Sequence, residues 1–358
     1  MQQLQQGATL QNGKYRIEKV LGQGGFGITY LAMRMDTGSQ VAIKELFVQG
    51  INDRKGNDVT ISNPVYIQSF SHQKEKFSKE ARRIHNIDNP HVVKVYDSFE
   101  ENGTAYYTMQ FVEGYSLGKL LKKTIFSEEQ SKDILIQLLD ALSIIHSQNI
   151  WHLDIKPDNI LLDNKGNVIL IDFGASKHIE QNGTLTTSSS LAMTPGFAAP
   201  EQMQGDISKF GPWTDFYALG GTLYTILTKN NPPSFADIIS EESHAFSFPS
   251  NVSDQIRKLI TWMMEPNRNK RPQDTKEIKQ KLSIDALSRK KHKKNYHRVW
   301  GKIFALFLWV DVIPLIYCVI LSLSSGLSAG SLGSSLILLV VIICLIFIAY
   351  MFWKEGLE

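Results

Sequence analysis

The sequence predicts an α+β body in two lobes, strands first and helices second, with a pair of apolar helices after it. Three observations carry this expectation. Up to about residue 112 the apolar residues fall in short runs broken by glycine-bearing turns, the pattern of strands. From Ser127 onward they recur at helical spacing. Beyond residue 302 two long runs carry almost no charge. A strand-rich half beside a helix-rich half leaves a cleft between them.

The elements can be read in order. Met1 to Gly13 is polar and lacks the apolar stretch of a signal peptide. Tyr15–Leu21, Thr29–Arg34 and Gln40–Glu45 read as strands. Asp53–Asp58 reads as an exposed loop, and Lys74–Ile87 as a helix with Phe77, Ala81 and Ile84 on one face. Val92–Phe99 and Thr104–Val112 flank Glu101-Asn102-Gly103, a strong hairpin signal. Ser127-Glu128-Glu129-Gln130 is a capping box that opens a helix through Ile134, Leu135, Leu138, Leu142 and Ile145. Short apolar strands, Ile160–Leu162 and Val168–Ile171, flank the turn Asn164–Gly166.

The tail reads as a transmembrane hairpin. Leu336–Trp353 is 18 apolar residues, and Ile303–Leu323 is 21 with only Asp311, Pro314 and Ser322 as exceptions. A soluble helix of that length should show a polar stripe, and neither run has one. Asp311 reads equally well as a functional intramembrane carboxylate or as one that snorkels. Seven bases (Arg289, Lys290, Lys291, Lys293, Lys294, Arg298, Lys302) precede the first run, Lys354 follows the second, and the Gly/Ser connector has none. The positive-inside rule then puts both ends in the cytoplasm and only a short loop outside, too small to be a ligand-sensing domain.

Composition narrows the classes. With 43% apolar and 20% charged residues the chain is neither disordered nor collagen-like. Its two cysteines, Cys318 and Cys344, lie in the tail, so the body has no thiol nucleophile and no Cys-containing zinc cluster. The net charge of +3 is made by the seven bases at 289–302, since residues 1–285 hold 30 Lys+Arg against 32 Asp+Glu. That distribution speaks against a nucleic-acid-coating protein and for contact of the basic strip with anionic lipid.

The chemistry-bearing motifs lie in the body. Gly22-Gln23-Gly24-Gly25-Phe26-Gly27 sits between two strands; a dinucleotide-binding turn would lead into a helix. Between strands it suits a flap whose backbone N–H groups approach phosphate oxygens. Lys44 ends the apolar strand Val41-Ala42-Ile43, and its charge needs a partner, for which Glu80 on the inward side of its helix is the natural choice. His152-Leu153-Asp154-Ile155-Lys156-Pro157-Asp158-Asn159 and Asp172-Phe173-Gly174 set two carboxylates and an amide at the ends of short strands. Phosphoryl transfer uses such a set: oxygens for Mg²⁺ and a carboxylate to orient the attacking hydroxyl. Ala199-Pro200-Glu201, Thr214-Asp215 and Arg271-Pro272 follow.

In this order and at these distances, the motifs over residues 15 to about 282 resemble those of eukaryotic-type serine/threonine protein kinases, bacterial membrane-anchored members included. The resemblance implies the bilobal protein-kinase fold and ATP and Mg²⁺ as cofactors. It implies that Gly22, Gly24 and Gly27 cover the phosphates and that Lys44 pairs with Glu80. Asp154 would orient the substrate hydroxyl, Lys156 would steady the transferring phosphate, and Asn159 and Asp172 would hold Mg²⁺. Ala42, Met109 and the Gln110–Val112 backbone would meet adenine. Asp215 would lie beneath the catalytic loop, and Glu201 would pair with Arg271.

There are departures. Leu153 stands where the family usually has Arg, which removes the usual partner of a phosphorylated activation loop. Activity is therefore expected not to depend strictly on phosphorylation of Thr184, Thr186, Thr187 or Ser188–Ser190. Thr29 replaces the usual Val near adenine, and the 35 residues between Lys44 and Glu80 exceed what the family usually needs. The resulting plan is a polar segment 1–14, N-lobe 15–112, C-lobe 113–282, basic linker 283–302, spans 303–323 and 336–353 joined by 324–335, and a tail 354–358. The function implied is a plasma-membrane Ser/Thr kinase facing the cytoplasm, with protein substrates and lipid as partners and no nucleic acid. The alternative is a pseudokinase scaffold, and the sequence leaves monomer and homodimer open.

Overall fold

A computed structural model of the chain describes residues 2–173, 194–240 and 245–282, together with the backbone of 177–178. The two expected spans with their flanking strip and tail, and the Ser/Thr cluster at 184–190, lie outside the described residues. Among the described residues no helix is long and apolar enough to cross a membrane. The chain divides into two compact units, residues 1–161 with 168–282, and residues 162–167 with 283–358. Of the second, only 162–167 are described: a turn in which Asp163 accepts the N–H groups of Lys165 and Asn167.

The first unit opens with β1 (Thr9–Leu10), β2 (Tyr15–Gln23), β3 (Gly27–Arg34) and β4 (Ser39–Leu46). A small hairpin follows, β5 (Asn52–Lys55) and β6 (Asp58–Ile61), then α1 (Ile67–His85), β7 (Val95–Glu101) and β8 (Thr104–Gln110). Six of these strands form one antiparallel sheet in the order β1-β2-β3-β4-β8-β7. The turn between β7 and β8 is the expected one: Asn102 and Gly103 both have positive φ, 50° and 74°, as a two-residue hairpin of matching twist requires.

Two expectations need correction here. The loop expected at Asp53–Asp58 is the β5–β6 hairpin, and its Arg54 side chain is only 1% exposed. The helix expected from Lys74 begins at Ile67, behind a 3₁₀ turn, Pro64–Tyr66, whose Val65 N–H is capped by the Asn63 side chain. Asn followed by Pro is a helix-start signal, and it pre-orders the turn that α1 continues.

The second half carries β9 (Gly114–Ser116), α2 (Leu117–Leu121), α3 (Glu128–Ser147), β10 (Ile150–Trp151), β11 (Ile160–Asp163), β12 (Val168–Leu170) and β13 (Lys177–His178). It ends in α4 (Pro200–Met203), α5 (Pro212–Thr228), α6 (Phe235–Ser240), α7 (Asp254–Met263) and α8 (Thr275–Lys281). α3 has the predicted capping box, with Ser127 and Gln130 exchanging side-chain-to-backbone bonds. α5 is apolar on nearly every side and accordingly runs through the interior, with Phe216, Tyr217, Leu219 and Leu223 all buried. The halves are stitched at His91–Val93: Val93 N–H donates to Leu170 O (3.0 Å), and Leu170 N–H to His91 O (2.8 Å). That stitch sets the strand leading to Asp172 against the β-rich half.

Candidate active site

The roof of the site is the sheet face that β3, β4 and β8 share. Opposed residues in antiparallel strands project to the same side, so Thr29, Lys44 and Tyr107 form one row and Leu31, Ala42 and Met109 another. At its edge the chain turns through Gly22–Gly27, where Gly24 N–H donates to Gly27 O (2.9 Å). A side chain at Gly27 would put its Cβ 2.7 Å from Glu45 O, so only glycine lets the turn lie this close to β4.

Lys44 pairs with Asp172, and its ammonium lies 5.8 Å from the centre of the Tyr107 ring. Burial works against its charge, but the field of Asp172, Tyr107 and Glu80 outweighs it and raises the lysine's pKa. The expected Lys44–Glu80 pair is replaced by this one. Burial pushes the Glu80 carboxyl up to about 7 despite the opposing pull of Lys44, and its Oε1 is buried with no hydrogen-bond partner. The ammonium goes to the more exposed carboxylate, Asp172, whose side chain is 43% exposed.

The floor is built around a backbone inversion. Leu153 and Asp172 both have left-handed φ, 63° and 62°, which costs a non-glycine residue on the order of 1–3 kcal/mol. Both are held in place. Asp215, fully buried on α5, accepts the N–H groups of His152 (2.9 Å) and Leu153 (2.7 Å) and meets His146 Nε2 at 2.8 Å. The buried His152 ring meets Ile171 O at 3.0 Å through Nε2 and packs 4.7 Å from the Phe173 ring, one residue to each side of Asp172. Ile171 N–H also donates to Asn159 O (3.0 Å), tying the two segments together.

On this floor four side chains converge. Lys156 Nζ donates to both oxygens of Asp154 (3.0 and 2.8 Å) and to Thr194 Oγ1 (3.1 Å). Asn159 Nδ2 donates to Asp154 O and Oδ2, each at 2.8 Å. With its amide nitrogen so engaged, Asn159 keeps Oδ1 as its cation-binding atom. That oxygen and the Asp172 carboxylate are hard donors of the kind Mg²⁺ takes alongside phosphate and water, so the residues fit the ion. The structure thus groups Asp154, Lys156 and Asn159 on the floor, and Lys44 with Asp172 under the roof. Thr194, before Pro195-Gly196-Phe197, resembles the serine/threonine branch together with Lys156 in the sequence; that it bonds to Lys156 is what the structure adds.

The remaining residues frame the site. Gln110 N–H donates to Lys94 O (2.8 Å), so of the expected adenine-facing backbone this donor is already engaged. Arg271, 2% exposed, makes the expected pair with Glu201 at 2.8 and 3.0 Å, and Thr214 Oγ1 donates to Glu201 Oε1 (2.8 Å). Leu153 packs with Trp151, Phe210 and Ile207, an apolar cluster where a phosphate-binding Arg was absent from the sequence.

Comparison with known proteins agrees with this geometry. A family model described as the protein kinase domain matches residues 15–283. Serine/threonine-protein kinase D of Synechocystis is 36% identical over 269 residues, covering 71% of this chain and 49% of that protein. Serine/threonine-protein kinase PrkC of Bacillus subtilis is 31% identical over 222 residues, covering 62% of this chain and 31% of that protein. Among solved structures, one titled PpkA-294, apo form, superposes with a TM-score of 0.68 at 27% identity, over 79% of this chain and all of that one. The chain spans about half or less of the length of these two kinases.

Proposed function

Because the chain belongs to the protein kinase family, we propose that it transfers the γ-phosphoryl group of ATP to Ser and Thr hydroxyls of proteins. The observation that carries this reading is the Asp154 carboxylate, held by Lys156 and Asn159 beside Thr194. Asp154 accepts the proton of the incoming hydroxyl as its oxygen bonds to phosphorus and the bond to the ADP oxygen breaks. Lys156, already beside Asp154, offers positive charge to the transferring group. Asn159 and Asp172 would hold Mg²⁺, which when bound neutralises phosphate charge and fixes the phosphates' orientation. Lys44 engages one oxygen of Asp172, Oδ1, which leaves Oδ2 for the ion, while the ammonium offers positive charge to the phosphates under Gly22–Gly27. Lys44, Asp154, Asn159 and Asp172 are all retained, and no observation favours a scaffold without chemistry.

The reading extends to a plasma-membrane tether with the kinase domain in the cytoplasm. It is supported by the apolar runs 303–323 and 336–353 and the seven bases before them. Phosphoamino-acid analysis of a general protein substrate incubated with the full chain, ATP and Mg²⁺ tests the activity. Phosphoserine and phosphothreonine are expected; phosphotyrosine alone would contradict the assignment. Alkaline carbonate extraction of membranes tests the tether, with the chain expected to stay in the pellet and release to the supernatant counting against it.

A further inference from the structure

The longest departure from the family pattern, the stretch between Lys44 and α1, is bound to the glycine turn by more than chain connectivity. β4 sends Lys44 to the cleft and Glu45 to the opposite face, where Glu45 is fully buried. There it accepts Tyr30 OH and Tyr106 OH, each at 2.7 Å, and Arg54 Nη2 at 2.6 Å. Arg54 comes from the β5–β6 hairpin. Its guanidinium also donates to Asn57 O (2.8 Å) and, through Nε, to Gln2 O (2.9 Å), and lies 5.3 Å from the centre of the Phe47 ring. One buried cation therefore joins three separate pieces of chain: the sheet, the inserted hairpin and the N-terminal segment.

Both outer pieces reach the glycine turn. From the insertion side, Phe47 N–H donates to Phe26 O (3.3 Å) and Gln49 N–H to Gly25 O (3.0 Å). From the N-terminal side, Gln3 Nε2 donates to Gln23 Oε1 (2.7 Å), and Gln23 Nε2 donates to Gln2 Oε1 (3.1 Å). Leu4, buried, anchors that segment, its N–H donating to Tyr30 OH (3.1 Å). The hairpin has a second mooring: Val59 N–H donates to Asn102 O (2.8 Å), and Val59 O lies 2.5 Å from where a Cβ on Gly103 would sit. Only glycine at 103 leaves room for the hairpin.

We infer that Arg54, with Gln2 and Gln3, positions the glycine-rich loop over the nucleotide, the inserted hairpin and the N-terminal segment acting together as a clasp on that loop. The inference rests on the kinase reading for its consequence and on the hydrogen bonds above for its geometry. A loop held from both sides loses less freedom when it closes on phosphates, so the clasp strengthens ground-state and transition-state binding alike. Loosening it should raise KM for ATP and leave kcat nearly unchanged. Arg54 touches no reacting atom, so its role is positioning.

The test uses the full chain in three forms: wild type, the double variant Gln2→Ala/Gln3→Ala, and Arg54→Lys. The glutamines are surface residues whose loss leaves the Glu45–Arg54 pair in place, so the double variant reports on the clasp even if Arg54→Lys fails to fold. Amide hydrogen exchange of residues 22–27 in nucleotide-free protein should quicken about three- to tenfold in the double variant, the worth of one typical hydrogen bond. KM for ATP should rise by a similar factor in the presence of Mg²⁺, with kcat within about twofold and KM for the protein substrate unmoved. Unchanged exchange and unchanged KM for ATP in the double variant would overturn the inference. A raised kcat at constant KM would overturn it too, since the clasp would then restrain product release. Faster exchange in the variant with no phosphoryl transfer even in the wild type would support the clasp while rejecting the kinase reading.

Discussion

Lys44 is paired with Asp172, and Glu80, which shares its surroundings, keeps a buried carboxylate oxygen that no donor reaches. One ammonium thus stands between two carboxylates of unequal exposure. It serves the more exposed one, through a single carboxylate oxygen, Asp172 Oδ1.

The burial of Glu80 makes stability depend on pH. Burial raises its folded pKa to about 7, above the ordinary 4.5 of an unfolded glutamate. Between those values the folded chain binds a proton that the unfolded chain has released, so stability falls as pH rises from about 4.5 through 7. Glu80→Gln removes that titration. The variant is expected to match the wild type near pH 5 and to be more stable at pH 8 by on the order of 2 kcal/mol. Urea unfolding followed by tryptophan fluorescence at the two pH values checks this; a wild type whose stability rises over the same window would refute it.

Asp215 holds the inverted backbone at Leu153 through two N–H groups. Asp215→Asn keeps the size but turns a donor toward donors, and is expected to cost about 3 kcal/mol, the loss of charge-assisted bonds to buried groups. Turnover should fall with it, because Asp154 follows the inverted residue directly. A variant with wild-type stability and turnover would show that the bend holds itself.

Leu153 is buried beside Trp151 and Phe210, so no guanidinium waits there for a phosphate. Replacing Thr184, Thr186, Thr187 and Ser188–Ser190 together by Ala should leave phosphoryl transfer within about threefold of wild type, since no charge pair is lost. Leu153→Arg should destabilise the chain by several kcal/mol, roughly the cost of an unpaired buried charge, and should not make activity phosphorylation-dependent. Loss of activity in the six-fold variant would contradict the reading.

Much of this was legible in the chain itself, for local reasons. Asn102-Gly103 permits the positive φ angles of a tight hairpin, and Ser127 with Gln130 caps a helix; in each case a few adjacent residues suffice. The ordered set from Gly22 to Arg271 located the site because its chemistry needs those residue types. What escaped was non-local. Arg54 lies among Asp, Asn and Lys and reads as exposed; only the folded sheet, which buries Glu45 with two tyrosines, gives its charge a reason to enter. The polar N-terminal residues likewise gain their place from Tyr30 and Gln23, far along the chain. The choice between Glu80 and Asp172 was closed to sequence reasoning because it turns on relative burial.

The most direct test of the central claim is phosphate transfer from ATP–Mg²⁺ to protein by the wild type and by Asp154→Asn. Asparagine keeps the shape of the side chain but cannot take up the hydroxyl proton. The wild type is predicted to incorporate phosphate, and the variant to do so about 10²- to 10⁴-fold more slowly while binding ATP with similar affinity. Equal incorporation by the two, or none by the wild type, would contradict the account.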